Sequence, residues 1–131
     1  MRKVVVAGAG QIGSRYLQGL AKVAEPLDVW AYDVSFESLT VAEQRWNEVQ
    51  QTSGHKVHFT SRLEALPNAF DLAIVASTAD VRPALVQALA RQANIRAWIL
   101  EKVLAQSVQG LNIIANTIPS RTFSLVNTPM M

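Results

Sequence analysis

The chain has 131 residues and no cysteine, half of its residues are hydrophobic, and 12 basic against 10 acidic side chains leave a formal charge of +2. A chain of this length suits one domain, which buries roughly two-thirds of its unfolded surface and needs no covalent staple. The composition excludes a disordered tail, a disulfide scaffold, cysteine-ligated metal and a thiol nucleophile. The scattered basic residues make neither a nucleic-acid footprint nor a polybasic membrane patch.

Arg2-Lys3 followed by an apolar run has the look of a secretion leader, but the run breaks at Gly8 and an amphipathic helical pattern follows. No stretch approaches the ~18 consecutive apolar residues of a membrane span. With the missing cysteines, this predicts a soluble, cytoplasmic protein without a metal site.

Val4-Val5-Val6-Ala7 is too short for a helix and rich in β-branched residues, so it predicts a strand. It stops at Gly8-Ala9-Gly10-Gln11-Ile12-Gly13, the G-x-G-x-x-G spacing. Tyr16, Leu17, Leu20 and Val23 then keep helical spacing, and residues 29–32 predict a second strand ending at Asp33, twenty positions beyond Gly13. Each type has a physical reason. Gly8 permits the tight turn, Gly10 lets a pyrophosphate approach the backbone, and Gly13 lets the helix lie near the sheet. The N–H groups of the helix opening near Gln11 and Ile12 face the phosphates. Asp33 can accept hydrogen bonds from the adenosine ribose hydroxyls and would repel a 2′-phosphate, which favours NAD over NADP. A glycine turn without ligand and a methyltransferase are the competing readings; methyltransferases seldom keep all three glycines at this spacing.

Ser35 caps a predicted helix over 36–51, with Phe36, Leu39, Ala42, Trp46 and Val49 on its apolar stripe. Residues 55–59 alternate and predict an edge strand, whose His55 and His58 point to different faces and read as surface residues. Ser61 and Glu64 have capping-box spacing for a short helix. Residues 70–76 read as one buried strand, followed by the loop Ser77-Thr78-Ala79-Asp80. Asp80 can cap a helix with Pro83 in its first turn and Leu85, Val86, Leu89, Ala90 and Ala93 buried. Residues 97–100 predict a strand ending at Glu101-Lys102. Ser107 opens a helix that Pro119 ends, and residues 122–126 predict a sixth strand. Trp30, Trp46 and Trp98 read as core.

Strands alternating with helices predict an α/β Rossmann domain over 1–126: a doubly wound parallel sheet of about six strands in order 3-2-1-4-5-6, with helices on both faces. In such sheets ligands gather beyond the carboxyl ends of the strands. There the glycine turn, Asp33, Ser77-Thr78 and Glu101-Lys102 converge. The cofactor-binding set is therefore Gly8, Gly10, Gln11, Ile12, Gly13, Asp33, Ser77, Thr78, Glu101 and Lys102. An ammonium at Lys102 could orient a reacting carbinol and favour its developing negative oxygen, against the bland alternative of a solvated strand-end lysine. Arg15, early in the cofactor helix, reads equally as a phosphate neighbour or a solvated arginine.

Gly8–Arg15, then Asp71–Thr78, then Glu101-Lys102 together resemble the nucleotide-binding half of the Gfo/Idh/MocA oxidoreductases, the glucose–fructose oxidoreductase and inositol dehydrogenase type. The family signature after the fifth strand is Glu-Lys-Pro, and its lysine contacts substrate and nicotinamide ribose. Here Glu101 and Lys102 match and Val103 replaces the proline. The resemblance implies an NAD-dependent dehydrogenase of a sugar, cyclitol or related polyol, with Lys102 as its catalytic residue. It also implies a larger C-terminal substrate domain, whose crossover begins at 127–131 and which carries the remaining catalytic groups and often the oligomer contacts. Without that domain the chain is expected to bind NAD with little or no turnover. The rival function is a regulatory NAD-sensing domain of the potassium-transport type, with no catalysis.

Overall fold

A computed structural model of the protein describes residues 1–49, 54–77, 81–101 and 123–127. The elements run β1 (Arg2–Ala7), α1 (Gln11–Ala21), β2 (Leu27–Tyr32), α2 (Phe36–Glu48), β3 (Lys56–Thr60), a 3-10 turn (Leu63–Ala65), β4 (Ala69–Phe70), β5 (Leu72–Val75), α3 (Arg82–Gln92), β6 (Asn94–Ile95), β7 (Ala97–Glu101) and β8 (Phe123–Asn127). Six of the strands form one parallel sheet in the order β3-β2-β1-β5-β7-β8. Counted along the main sheet alone, that is the doubly wound order 3-2-1-4-5-6. The fold is Rossmann-like.

The strands alternate their side chains between two cores, as period-2 geometry requires. Val4, Val6, Val29, Ala31 and Ile74 pack with Leu17 of α1 and Leu39, Ala42 and Trp46 of α2. On the other face Val5, Ala7, Ala73, Val75, Trp98 and Leu100 pack with Val86 and Leu89 of α3. Both faces of β1 are therefore covered, which is why its sequence is a continuous apolar run. Trp46 and Trp98 are core, whereas Trp30 is only half-buried.

Several local expectations are corrected. Ser61 and Glu64 form no capping box: Arg62 occupies the N-cap without a side-chain hydrogen bond, and only a single 3-10 turn follows. The Arg62 amide donates instead to Thr60 Oγ1 at 3.1 Å. The predicted strand over 70–76 is split at Asp71, whose carboxylate accepts the Lys3 amide at 2.9 Å. Residues 69–70 pair away from the main sheet with β6. α2 ends at Glu48, with Val49 as C-cap. Its first residue, Phe36, is 79% exposed rather than part of the core stripe.

The two histidines have structural partners. His55 Nδ1 accepts the Leu27 amide at 3.0 Å, and His58 stacks on Trp30 and meets Asp28 Oδ1 at 2.9 Å. Asp80, the end of the predicted second helix, the helix from Ser107 and residues 128–131 lie outside the described residues. Among those described, no helix is long and apolar enough to cross a membrane.

Candidate functional site: the crevice at the carboxyl edge

The crossovers leave β1 and β5 toward opposite faces, so the loops after these two strands part and leave a crevice at the carboxyl edge. The chain after β1 turns sharply at Gly8, where φ is +95°, a conformation that side chains other than glycine rarely adopt. A Cβ on Gly8 would also stand 2.7 Å from the Ser77 amide nitrogen. A Cβ on Gly13 would lie 1.8 Å from the Gly8 carbonyl oxygen, so this glycine allows α1 to seat against the turn. Gly10 is different. It is exposed, and a Cβ there would meet nothing within 4 Å. The three glycines divide as their spacing predicts: two are demanded by packing, and one leaves open space at the mouth of the helix.

Gly10 is also the N-cap of α1, with no side-chain cap and no acidic residue in the first turn. The leading N–H groups and the positive end of the helix dipole therefore carry no anionic side chain of their own. Gln11 and Ile12 open this helix. Behind them Ser14 is fully buried and donates its hydroxyl to the Ala9 carbonyl at 3.2 Å.

Asp33 sits one residue beyond β2, beside the glycine turn. Its Oδ2 accepts the Ala9 amide at 2.7 Å and its Oδ1 accepts the Ser35 amide at 2.8 Å. The carboxylate thus ties the turn after β1 to the start of α2. Each oxygen keeps a further lone pair for another donor. Spacing alone did not reveal this second task.

A cavity of about 710 Å³ opens here between the glycine turn and α3. Gly8, Gly10, Asp33 and Ser77 form its polar side; Val34, Val81, Ala84 and Leu85 form an apolar wall. Tyr32 also lines it, and burial first, then the negative charges of Asp33 and Glu64, push its phenol pKa above the ordinary 10.0. The phenol is therefore neutral at physiological pH. A smaller hollow of about 400 Å³ lies beside Asn68, Arg91 and Trp98 at the far end of α3 and shares no residue with the crevice.

Gly8, Gly10, Asp33 and Ser77 thus share one cavity, with Gly13 packed beneath it. The backbone of Glu101 ends β7 on the same edge, opposite Asn127 of β8. Thr78 and Lys102 lie outside the described residues. Arg15 is exposed. Among the described residues, no group of three histidine, aspartate or glutamate side chains could hold a metal ion. Sequence reasoning missed Arg82, which is 3% exposed and donates from Nη2 to the Ser77 carbonyl oxygen at 2.6 Å. Next to Pro83 at a predicted helix start, it reads as one more surface cation.

No protein-family model matches the chain, and comparison with curated proteins gives no match. Solved structures do match. A myo-inositol dehydrogenase from Lactobacillus casei, in complex with NAD(H) and myo-inositol, superposes with a TM-score of 0.71 at 22% identity over 96% of this chain. An NAD-binding protein from Listeria innocua gives 0.68 at 19% over 95%. An oxidoreductase from Agrobacterium radiobacter, in complex with NAD+, L-tartaric acid and magnesium, gives 0.63 at 16% over 95%. The chain spans 36%, 34% and 34% of those three structures, about a third of each. At these identities the likeness shows the fold alone: the chain shares the doubly wound α/β fold that these structures contain.

Proposed function

We propose that this chain is the NAD-binding domain of a Gfo/Idh/MocA-type oxidoreductase, acting in its full-length parent on a sugar, cyclitol or related polyol. The observation that carries the reading is the arrangement around Gly10. Open space lies over an uncapped helix N-terminus, with a carboxylate at the end of the neighbouring strand. A dinucleotide fits these residues. Its pyrophosphate would lie against the backbone at Gly10, where a side chain would obstruct it, and at the helix N-terminus that follows. Its adenosine ribose would donate to the remaining lone pairs of Asp33, and its adenine would rest on the apolar wall of Val34, Val81 and Leu85.

Asp33 supports a preference for NAD. A 2′-phosphate would meet a carboxylate already fixed by two backbone amides, with no described cation lining the cavity to offset the repulsion. The nicotinamide, when bound, supplies the hydride chemistry. This chain's own part is to grip and orient it, with Lys102 positioning the substrate oxygen and Glu101 beside it. The NAD(H) and myo-inositol held by one neighbour and the NAD+ held by another support the same assignment.

Parallel titration of NAD+ and NADP+ tests the cofactor: NAD+ is expected to bind at least about tenfold more tightly, a difference of about 1.4 kcal/mol. Equal or tighter NADP+ binding refutes the role given to Asp33. A survey of polyols with NAD+ should give little or no NADH from this chain, and robust turnover would contradict the division of labour.

A further inference from the structure

Ser14 and Arg82 are the two polar residues fully buried among the described residues, and Arg82 carries a charge. Its setting opposes it twice. Burial removes a guanidinium from water, and as the first residue of α3 it sits at the positive end of a helix dipole. An apolar side chain of similar length would escape both costs, so packing and helix stability do not account for the group. Its contact does. Nη2 donates to the Ser77 carbonyl at 2.6 Å, a charge-assisted bond onto the backbone that forms one wall of the crevice.

Ser77 in turn is set against the glycine turn. The Ala76 amide donates to the Ala7 carbonyl at 2.8 Å, and the Ser77 amide nitrogen stands 2.7 Å from the position a Gly8 Cβ would take. Ser77 and Gly8 share the cavity with Asp33, which holds the next residue, Ala9, through its amide. A continuous chain of contacts thus runs from Arg82 through Ser77 and Gly8 to Ala9 and Asp33.

We propose that Arg82 is a positioning residue: its guanidinium fixes the Ser77 backbone against Gly8 and so holds the glycine turn in the geometry that receives a dinucleotide pyrophosphate. Arg82 acts through Ser77 and does not line the cavity. The assignment rests on the nucleotide-binding reading for its consequence in binding, but its structural half can be measured without ligand.

The test compares wild type with Arg82→Met, which keeps length without a donor, and Arg82→Lys, which restores a cationic donor. In the ligand-free chain, amide hydrogen exchange should quicken by about tenfold or more at Gly8, Ala9 and Ala76 in the Met variant, which reports local opening. It should stay near wild type at Leu39 and Ala93, whose amides bond within α2 and α3. NAD+ affinity should fall about tenfold in the same variant, with the Lys variant recovering most of the loss. Unchanged exchange at Gly8, Ala9 and Ala76 overturns the proposal, and so does an equal rise at all five amides, which marks a general loss of stability. Altered exchange with unaltered NAD+ affinity also overturns it. If wild type itself binds no NAD+, the nucleotide-binding reading fails while the exchange data still judge Arg82. Should the Met variant not fold, Arg82→Leu, which likewise has no donor, carries the same comparison, with the same outcomes deciding.

Discussion

At the scale of single residues, the glycines separate packing from ligand access. Gly13→Ala should cost about 3 kcal/mol of stability in urea unfolding, because a backbone oxygen at 1.8 Å cannot swing aside. Gly19→Ala, on an exposed part of α1 with nothing within 4 Å, should instead gain about 0.5–1 kcal/mol. Asp33→Asn should lower stability by about 1–2 kcal/mol as well as weaken NAD+, because two backbone amides lose a charged acceptor. A variant that simply exchanged NAD+ for NADP+ at unchanged stability would contradict that dual role. Tyr32 adds a pH dependence. Its folded pKa is raised, so its contribution is complete below pH 10.0 and is lost as pH climbs through the folded value. Alkaline unfolding of Tyr32→Phe should lack that component. The glycines and Asp33 were legible from spacing because their constraints are local in sequence. The Asp33–Ala9 bond and Arg82 were not, since each depends on which loops the sheet order brings together.

At the scale of elements, legibility followed length and periodicity. The α2 cap was readable: Ser35 Oγ accepts the Ser38 amide at 3.2 Å, and Ser35→Ala should cost about 1 kcal/mol in thermal or urea unfolding. The end of that helix was not readable, nor was the exposure of Phe36, which has a stripe position in the first turn but borders an open hollow with Phe59 and Thr60 of β3. Two-residue strands such as β4 and β6 carry no period at all, so Phe70 looked continuous with Leu72–Val75. Tertiary contacts mark the break: the Lys3 amide donates to the Asp71 carboxylate, and residues 69–70 pair with β6. At Ser61 the capping-box spacing is not used: the turn begins one residue later, at Arg62, and the Glu64 carboxylate accepts Arg62 Nε at 3.0 Å.

At the scale of the whole molecule, the sheet order was legible because alternating strands and helices with right-handed crossovers permit few topologies. That order is what brings loops far apart in sequence to one crevice at the carboxyl edge. The chain covers about a third of the length of the solved structures it resembles. The proposed task of the open space at Gly10 is to receive a dinucleotide pyrophosphate. Gly10→Ala tests it most directly, because φ is −69° there and an added methyl meets no protein atom within 4 Å, so the fold should be unharmed. Calorimetric titration of NAD+ into wild type and Gly10→Ala, alongside their unfolding midpoints, is the measurement. Equal stability and at least about a tenfold loss of affinity are expected in the variant. Equal affinity at equal stability would contradict the proposed task.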